Sequence, residues 1–494
     1  MKALYNSQIT KTRYKELNYY FLNEDDLNTS EFSLVLEDSD FGFHETVLNS
    51  LIGNLVKFNI SGKIEPYLAE SFKVSNDGKE YTYKLRKDLY CDDGTHITAA
   101  AFVNALTNQL KIYSKNSEPL DFALLEGYLD FKNDKSTSIS GLKTVHDSIV
   151  FSFVKKPEDL NELLRMPYFG FWCDANINDN NWKKTKKFVS SGPYSLDINS
   201  TNKKITVTKR NGWFSNSKKS IDTINFTYRS ISSFSDFSKE ESSFIIESNT
   251  RHNLSNSPLV NLRKVIAPPT TVSTFVLSPH KEGPFKNREK RQALANRIRQ
   301  LQKNHNWNSS FFYANAKSIV IENKQLKMDI SNDETLTVGN YYSSASTQLD
   351  IAKKLLEDAT DAPNIKYSFL GKSAAKDQWR EKMLSNKYFD IRYSSVANGA
   401  FPRNFIIKMM FCSELGVRYP DPSNRICNLV KDYEDWSGPL PTDYIKNLNQ
   451  IIYDDACVVP LEHFGPQWIL SDNINSDLFP STVETPLFEL IELK

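Results

Sequence analysis

Residues 62–106 read GKIEPYLAESFKVSNDGKEYTYKLRKDLYCDDGTHITAAAFVNAL, and they hold the densest group of structural signals in the chain. Alternating apolar and polar residues at 81–85 predict a half-buried β-strand. The Asp-Gly pairs at 77–78 and 93–94 are typical of tight turns in which glycine takes a positive φ. Thr98 follows the second turn, and a hydroxyl there caps a helix whose apolar residues recur at helical spacing. The stretch therefore predicts scaffold and not a binding site.

The rest of the chain falls into two patterns. The N-terminal half shows short alternating runs separated by turn signals, as at 149–153 and 205–207, and these predict strands. From about residue 285, helical stripes such as the one over 294–301 alternate with strand-like runs. This alternation is typical of an α/β layer with short crossovers.

The composition is that of a folded protein with several domains. The chain has 494 residues, of which 39% are hydrophobic and 12% aromatic, and at roughly 100–200 residues per domain this length predicts about three domains. The 61 Lys and Arg residues nearly balance the 60 Asp and Glu residues, so the global basic field of nucleic-acid-binding proteins is absent. We therefore expect no nucleic acid partner. In addition, no window of the sequence holds the ~18 consecutive apolar residues that a membrane span requires.

The five cysteines are spread singly, and no two stand at the close spacing of a zinc knuckle or a redox motif. Cys412 and Cys427 flank one predicted loop, and a disulfide between them is one interpretation if the compartment is oxidising. Buried free cysteines are the interpretation that we favour. The odd count leaves at least one free thiol in either case.

No catalytic set stands out. There is no Gly-x-Ser-x-Gly nucleophile elbow and no Gly-rich phosphate-binding loop. His44 and Glu45 lack the second histidine of a zinc-protease helix, and His463 also stands alone. We expect no catalytic residues, no metal and no cofactor.

Residues 62–106 resemble the signature of the family 5 solute-binding proteins of ABC importers, which include oligopeptide-, dipeptide- and nickel-binding receptors. That signature is a Pro-x-Leu-Ala-Glu-Ser block, an Asp-Gly pair, a Leu-Arg strand, and Asp-Gly-x-x-Ile/Leu-Thr-Ala before a helix. The residues that match it in order are Pro66, Leu68, Ala69, Glu70, Ser71, Asp77, Gly78, Leu85, Arg86, Asp93, Gly94, Thr98 and Ala99. Further matches follow at Ser191-Gly192-Pro193-Tyr194, at Arg210-Asn211-x-x-Phe214 and at Gly283-Pro284-Phe285.

The resemblance implies a periplasmic-binding-protein-like α/β fold of type II, in the large cluster with an extra subdomain. Two lobes are joined by a hinge that the chain crosses twice, and ligand lies between them. The implied division is an N-terminal extension (1–31), lobe I (32–63, 188–265 and 466–494), an extra subdomain with the signature (64–187) and lobe II (266–465).

Peptide-binding relatives commonly carry an acidic residue, in an Asp-Tyr-x-x-Pro-like context, that pairs with the peptide amino terminus. The corresponding stretch here is 393–404, and it contains no carboxylate. Arg403 is predicted instead to pair with a ligand carboxylate through two parallel hydrogen bonds. The alternative is a surface arginine that covers a turn. Asp421, in Tyr-Pro-Asp-Pro, is interpreted as a turn and cap residue.

Position in the resemblance also nominates residues after the first strand and at the start of lobe II. The candidate ligand-binding residues are Arg403, Asn398, Tyr393, Ser395, Phe401, Thr271, Thr274, Asp38 and Phe41.

These signals predict an extracytoplasmic substrate-binding protein that captures a peptide or another small polar solute for the permease of an ABC importer, as a monomer, by hinge closure. The alternative is a ligand-sensing regulatory module of the same fold that is not coupled to transport. Residues 1–31 show no signal-peptide hydrophobic region, so the leader was removed or was never present. The periplasm or the cell surface is the expected location, and the cytoplasm is the alternative.

Overall fold

The fold is known from a computed structural model. It describes residues 15–23, 43–116, 121–157, 160–173, 188–197, 204–215, 220–230, 243–248, 263–266, 271–303, 335–340, 347–360, 365–369, 387–396, 407–412, 419–433, 441–465, 467–475 and 486–493. The strands are β1 (Glu16–Asn23), β2 (Val56–Phe58), β3 (Ile64–Pro66), β4 (Ala69–Val74), β5 (Glu80–Leu85), β6 (Leu142–Val145), β7 (Ser148–Ser152), β8 (Tyr194–Leu196), β9 (Lys204–Lys209), β10 (Thr223–Ser230), β11 (Phe244–Ser248), β12 (Arg263–Ile266), β13 (Thr271–Leu277), β14 (Leu336–Asn340), β15 (Ile365–Phe369), β16 (Ile391–Val396), β17 (Val458–Phe464) and β18 (Gln467–Leu470). The α-helices are α1 (Phe43–Leu51), α2 (Ala99–Asn116), α3 (Tyr128–Lys132), α4 (Leu160–Leu164), α5 (Arg288–Lys303), α6 (Thr347–Thr360), α7 (Arg425–Asp432) and α8 (Thr442–Asp455), and Lys408–Cys412 forms a π-helix.

A seven-stranded sheet contains β1 near its centre. Its strand order is β12-β18-β11-β1-β10-β9-β8, and β1 runs parallel to both of its neighbours. The sequence predicts residues 1–31 to be an extension outside lobe I, but β1 is an interior strand of this sheet. The physical reason is burial on both faces, because Leu17 and Tyr19 are fully buried on one face and Tyr20 is 4% exposed on the other.

A five-stranded sheet of order β15-β14-β16-β13-β17 has a separate core on each face. On one face Phe275 packs with Leu294 of α5 and Leu356 of α6. On the other face Val276 packs with Leu448 of α8. Each fully buried Leu side chain contributes about 1.5–3 kcal/mol. Adjacent residues of β13 thus serve opposite cores, as the period of a strand requires.

The signature stretch supplies β4, β5 and the start of α2, and its two strands belong to a four-stranded sheet of order β4-β5-β7-β6. Gly78 and Gly94 take φ of +70° and +88°, and the Thr98 hydroxyl accepts a hydrogen bond from the backbone N–H of Ala101 at 3.1 Å. Arg86 donates its Nε–H to the carbonyl of Tyr67 at 2.8 Å. These contacts are the turns, cap and packing of a scaffold.

Two disulfides correct the favoured interpretation of the cysteines. Cys91 bonds to Cys173 and Cys412 bonds to Cys427, whereas Cys457 is free and buried. The fold brings the first pair to a Cα separation of 6.5 Å although 82 residues separate them in the chain. A bond of this span has no local sequence signal. Burial raises the pKa of the Cys457 thiol to about 12, so it remains protonated at neutral pH.

The expected α/β class is confirmed. None of the helices in the described ranges is both long enough and apolar enough to cross a membrane.

Candidate ligand-binding site

The seven-stranded and five-stranded sheets are joined by two adjacent crossings. Residues 267–270 connect β12 to β13, and residues 465–466 connect β17 to β18. β12 pairs with β18 at Ile266 and Gln467, and β13 pairs with β17 directly beyond the crossings. The two connections therefore begin and end at neighbouring positions, which is the geometry of a double-stranded hinge.

Both sheets present the carboxyl ends of parallel strands at these crossings. In the seven-stranded sheet β1, β10 and β11 are parallel, and β12 has the same direction because both β11 and β12 pair antiparallel with β18. β12 leaves the sheet at its carboxyl end, so the others end at the same edge. In the five-stranded sheet β14, β15 and β16 are parallel, and β16 is antiparallel to β13, which starts at the crossing. Ligands of α/β proteins bind outside the carboxyl ends of parallel strands, so the two edges define one candidate site.

Thr271 and Ser395 lie at this edge on neighbouring strands. Thr271 opens β13, and Ser395 pairs with Ser273 one residue before the end of β16. Both residues are partly exposed. Their role as ligand contacts remains a prediction.

Thr274 and Tyr393 lie deeper in the same two strands. Thr274 is fully buried, and its Oγ1 lies 3.1 Å from the hydroxyl of Tyr419. Tyr393 is 2% exposed, and its ring packs against Phe275 with the centroids 6.1 Å apart. Both side chains have packing and hydrogen-bonding roles inside the five-stranded sheet, and their role as ligand contacts remains a prediction.

The remaining five candidates fall outside the described residues. Asp38 and Phe41 follow β1 in sequence, and Asn398, Phe401 and Arg403 follow β16. Each set comes after the carboxyl end of a parallel strand, as a ligand loop would.

A buried polar network lies near the second crossing, and the sequence alone does not predict it. The Tyr19 hydroxyl donates a hydrogen bond to the Glu247 carboxylate and accepts one from Trp468 Nε1 at 3.0 Å. Burial, and then the charge of Glu247, raises the pKa of Tyr19 well above its usual value, so the hydroxyl remains a donor. The network ties β1 and β11 to β18, the strand that returns from the hinge. The only sequence signal is one acidic residue in the apolar run Phe-Ile-Ile-Glu-Ser at 244–248.

Comparison with known proteins finds a family that this chain resembles. The family model of the bacterial extracellular solute-binding proteins, family 5, middle region, matches residues 63–298. The chain is similar to this family over residues 63–298. The resemblance in the signature stretch is therefore confirmed.

One curated relative of this chain is the oligopeptide-binding protein AmiA of Streptococcus pneumoniae. It is 28% identical over 183 residues, which are 34% of this chain and 27% of AmiA. The chain thus matches only about a quarter of the length of this relative.

Solved structures of the same fold cover nearly the whole chain. The periplasmic oligopeptide-binding protein OppAIV of Borrelia burgdorferi superposes with a TM-score of 0.75 at 17% identity and covers 97% of this chain and 100% of its own. Haemophilus influenzae OppA, in complex with the peptide RPPGFSPFR, superposes with a TM-score of 0.73 at 13% identity and covers 97% and 99%. The predicted periplasmic-binding-protein-like fold is confirmed.

Two of the other matching motifs, Arg-Asn at 210–211 and Ser-Gly-Pro-Tyr at 191–194, contact each other. Arg210 donates Nη1–H to the carbonyl of Gly192 at 2.8 Å and Nη2–H to that of Tyr90 at 2.5 Å, with its guanidinium 4.9 Å from the Trp213 ring centroid. Burial lowers the pKa of Arg210 from its usual value. Arg210 of the Arg-Asn motif thus connects the Ser-Gly-Pro-Tyr motif to Tyr90 in the signature stretch, residues 62–106.

Asp421 is engaged within its own turn and helix, in agreement with its interpretation as a cap. Its Oδ2 accepts the backbone N–H of Cys427 at 3.0 Å, and its Oδ1 accepts the Ser423 hydroxyl at 3.3 Å. Burial, and also the charge of Asp455, raises the pKa of this carboxyl above its usual value. Both contacts are those of a turn and cap residue.

We expect Asp421→Asn to leave ligand affinity within about twofold of wild type, because the amide oxygen retains the cap and only ligand-contacting anchors carry large effects. The measurement is the half-saturating concentration of a synthetic peptide pool, read by intrinsic tryptophan fluorescence. A loss of about tenfold or more would make Asp421 the acidic anchor that residues 393–404 lack.

Across the described part of the chain, no group of three or more His, Cys, Asp or Glu side chains is arranged to hold a metal ion.

Proposed function

We propose that this chain captures a peptide or another small polar solute outside the cytoplasm and delivers it to the permease of an ABC importer. It acts as a monomer and makes or breaks no covalent bond in the ligand. The observation that carries this proposal is the double crossing between two sheets whose parallel strands both end at that crossing. Two rigid bodies joined by one hinge can close when a ligand binds between them.

Closure explains how such a site obtains affinity. In the open form, polar groups at both sheet edges are hydrated. When the lobes close over a ligand, water leaves and each remaining hydrogen bond strengthens in the lower dielectric. Only contacts made with both lobes favour the closed form over the open one. The ligand must therefore bridge the two edges.

The proposed contacts divide accordingly. Thr271, Ser395 and the residues after β16 act from the five-stranded sheet, and Asp38 and Phe41 act from the seven-stranded sheet. Arg403 pairs with a ligand carboxylate, because a guanidinium and a carboxylate match in two parallel hydrogen bonds.

The disulfides support a location outside the cytoplasm. Two cysteine pairs are bonded, and disulfides persist in oxidising compartments such as the periplasm or the cell surface. The relatives agree with a peptide ligand, since AmiA is an oligopeptide-binding protein and Haemophilus influenzae OppA was crystallised with a peptide.

The test is thermal stabilisation of the purified chain by pools of synthetic peptides, with sugars and nickel salts as the other ligand classes. A peptide at 100 times its Kd stabilises the folded state by about 2.7 kcal/mol. Peptides are expected to raise the melting temperature and the other classes are not. The proposal would be contradicted if no ligand class raised the melting temperature.

Arg403 offers a sharper measurement with the same peptides. Amidation of the peptide carboxyl terminus is expected to weaken binding to wild type by about tenfold or more, because a charge-assisted hydrogen bond is lost. Arg403→Ala is expected to bind acid and amide forms equally. Equal discrimination by both proteins would assign Arg403 to the surface of a turn.

A further inference from the structure

Tyr419 connects the end of β16 to the π-helix that follows in the chain. The residue is 1% exposed, its hydroxyl lies 3.1 Å from Thr274 Oγ1 and donates to Ser394 Oγ at 3.5 Å. Its backbone N–H donates to the carbonyl of Met410 at 3.0 Å. One buried side chain thus contacts both β13 and β16 just before the carboxyl end of β16, while its backbone holds the π-helix.

A disulfide closes the segment that contains Tyr419. Cys412 ends the π-helix and bonds to Cys427 in α7, with a Cα separation of 5.5 Å. Asp421, inside the same segment, caps α7 through the N–H of Cys427. The bond therefore fixes the π-helix, Tyr419 and α7 as one unit.

We propose that Tyr419 and the Cys412–Cys427 disulfide form a redox-sensitive clamp that positions the carboxyl end of β16 for ligand binding. This inference rests on the proposed function, since it assumes that Ser395 and the residues after it contact the ligand. Tyr419 is a positioning residue and does not itself touch the ligand.

The two disulfides differ in accessibility. Cys412 and Cys427 are both partly exposed, whereas Cys91 and Cys173 are 2% and 1% exposed. A thiolate must reach a sulfur atom to break the bond, so a dithiol reductant opens the clamp before it opens the buried pair.

The reaction is a balanced exchange. A dithiol attacks one sulfur atom, the Sγ–Sγ bond breaks, and a mixed disulfide forms. The second thiol of the reductant then closes on the first. Two electrons and two protons pass to the protein, Cys412 and Cys427 become thiols, and the dithiol becomes a cyclic disulfide.

Opening the clamp is expected to weaken binding without unfolding the protein. In the reduced form the segment between Cys412 and Cys427 is tethered only by non-covalent contacts, so part of its ordering is deferred until the ligand binds. We expect the half-saturating peptide concentration to rise about tenfold on reduction.

The experiment measures binding of a defined synthetic peptide pool by intrinsic tryptophan fluorescence, with and without dithiothreitol. Alkylation and mass spectrometry establish which disulfide is reduced. Cys412→Ser with Cys427→Ser is expected to bind weakly in both conditions. The matched control, Cys91→Ser with Cys173→Ser, is expected to keep both the affinity and its response to the reductant.

A second pair of variants separates positioning from stability. Tyr419→Phe removes a hydroxyl near Thr274 and Ser394. Tyr194, in β8 of the seven-stranded sheet, has a buried hydroxyl that lies within hydrogen-bond distance of the carbonyls of Ile221 and Phe488, and Tyr194→Phe removes it. Only Tyr419→Phe is expected to weaken binding, by about fivefold, although both lower the melting temperature.

The outcomes are distinguishable. Equal affinity of the oxidised and reduced wild type, or an equal loss of affinity in Tyr419→Phe and Tyr194→Phe, would overturn the clamp. Absence of any binding by the oxidised wild type would instead overturn the proposed function.

Discussion

Gly192→Ala is expected to lower the free energy of unfolding by about 3 kcal/mol or more, because overpacking against backbone cannot be relieved by a rotamer change. A Cβ at this position would lie 2.6 Å from the carbonyl carbon of Leu51 and 2.8 Å from the backbone nitrogen of Ile52. These atoms end α1. The Leu51 carbonyl is also held by the N–H of Gly192 at 2.8 Å and by the hydroxyl of Ser190 at 2.6 Å, so a shift of the chain would break both bonds.

Gly94→Ala and Gly212→Ala are the matched controls. Both glycines take a positive φ, +88° and +77°, and a Cβ on either would meet no atom within 4 Å. Their cost is conformational alone, about 1–2 kcal/mol. Urea denaturation followed by far-ultraviolet circular dichroism compares the three variants. A Gly192→Ala protein as stable as the controls would mean that the Ser-Gly-Pro-Tyr motif does not need its glycine for close approach.

Local signals in the sequence are sufficient to predict the turns and the helix cap of the signature stretch, residues 62–106. The turns at Gly78 and Gly94 and the cap at Thr98 depend on residues within a few positions of one another. Backbone sterics and capping fix such features wherever they occur in a chain. They are therefore readable without knowledge of the fold.

Long-range pairings were not readable in the same way. β1 pairs with β10, so Glu16 lies beside Thr223, and Cys91 reaches Cys173 across 82 residues. In neither pair does the sequence around one residue indicate the position of its partner. The sequence alone therefore predicts that the short apolar run near the start of the chain belongs to an extension, although this run supplies an interior strand.

The candidate site shows a similar division. A strand-like pattern in the sequence does not indicate the depth of a residue from the sheet edge or which face receives helices. Thr271 and Ser395 proved to be partly exposed, whereas Thr274 and Tyr393 proved to be buried. The burial of each residue in β13 and β16 depends on how helices α5 to α8 pack on the sheet. The sequence of one strand does not contain this information.

Asp390 joins three strands of the five-stranded sheet at the end remote from the hinge. It precedes β16 and is 3% exposed, and its Oδ2 accepts the N–H of Thr337 at 2.8 Å and the ammonium of Lys281 at 2.7 Å. Its backbone carbonyl accepts the N–H of Ser278, after β13, at 3.0 Å. The carboxylate thus satisfies a buried donor and a cation at once.

Asp390→Ala is expected to lower the free energy of unfolding by about 3–5 kcal/mol, because removal of one partner leaves a partly buried ammonium and an unsatisfied N–H. The loss is measured by urea denaturation. The exposed pair of Glu70 and Lys84, 2.9 Å apart, provides the control, and Glu70→Ala is expected to leave the unfolding midpoint unchanged.

A double variant separates the ion pair from the rest of the loss. Adding Lys281→Ala to Asp390→Ala removes the stranded ammonium, so about 1 kcal/mol or more of stability is expected to return. The remaining deficit measures the Thr337 contacts. If the double variant is less stable than Asp390→Ala alone, Lys281 stabilises the sheet through contacts other than this carboxylate, and the ion pair is not what holds β13, β14 and β16 together at this end.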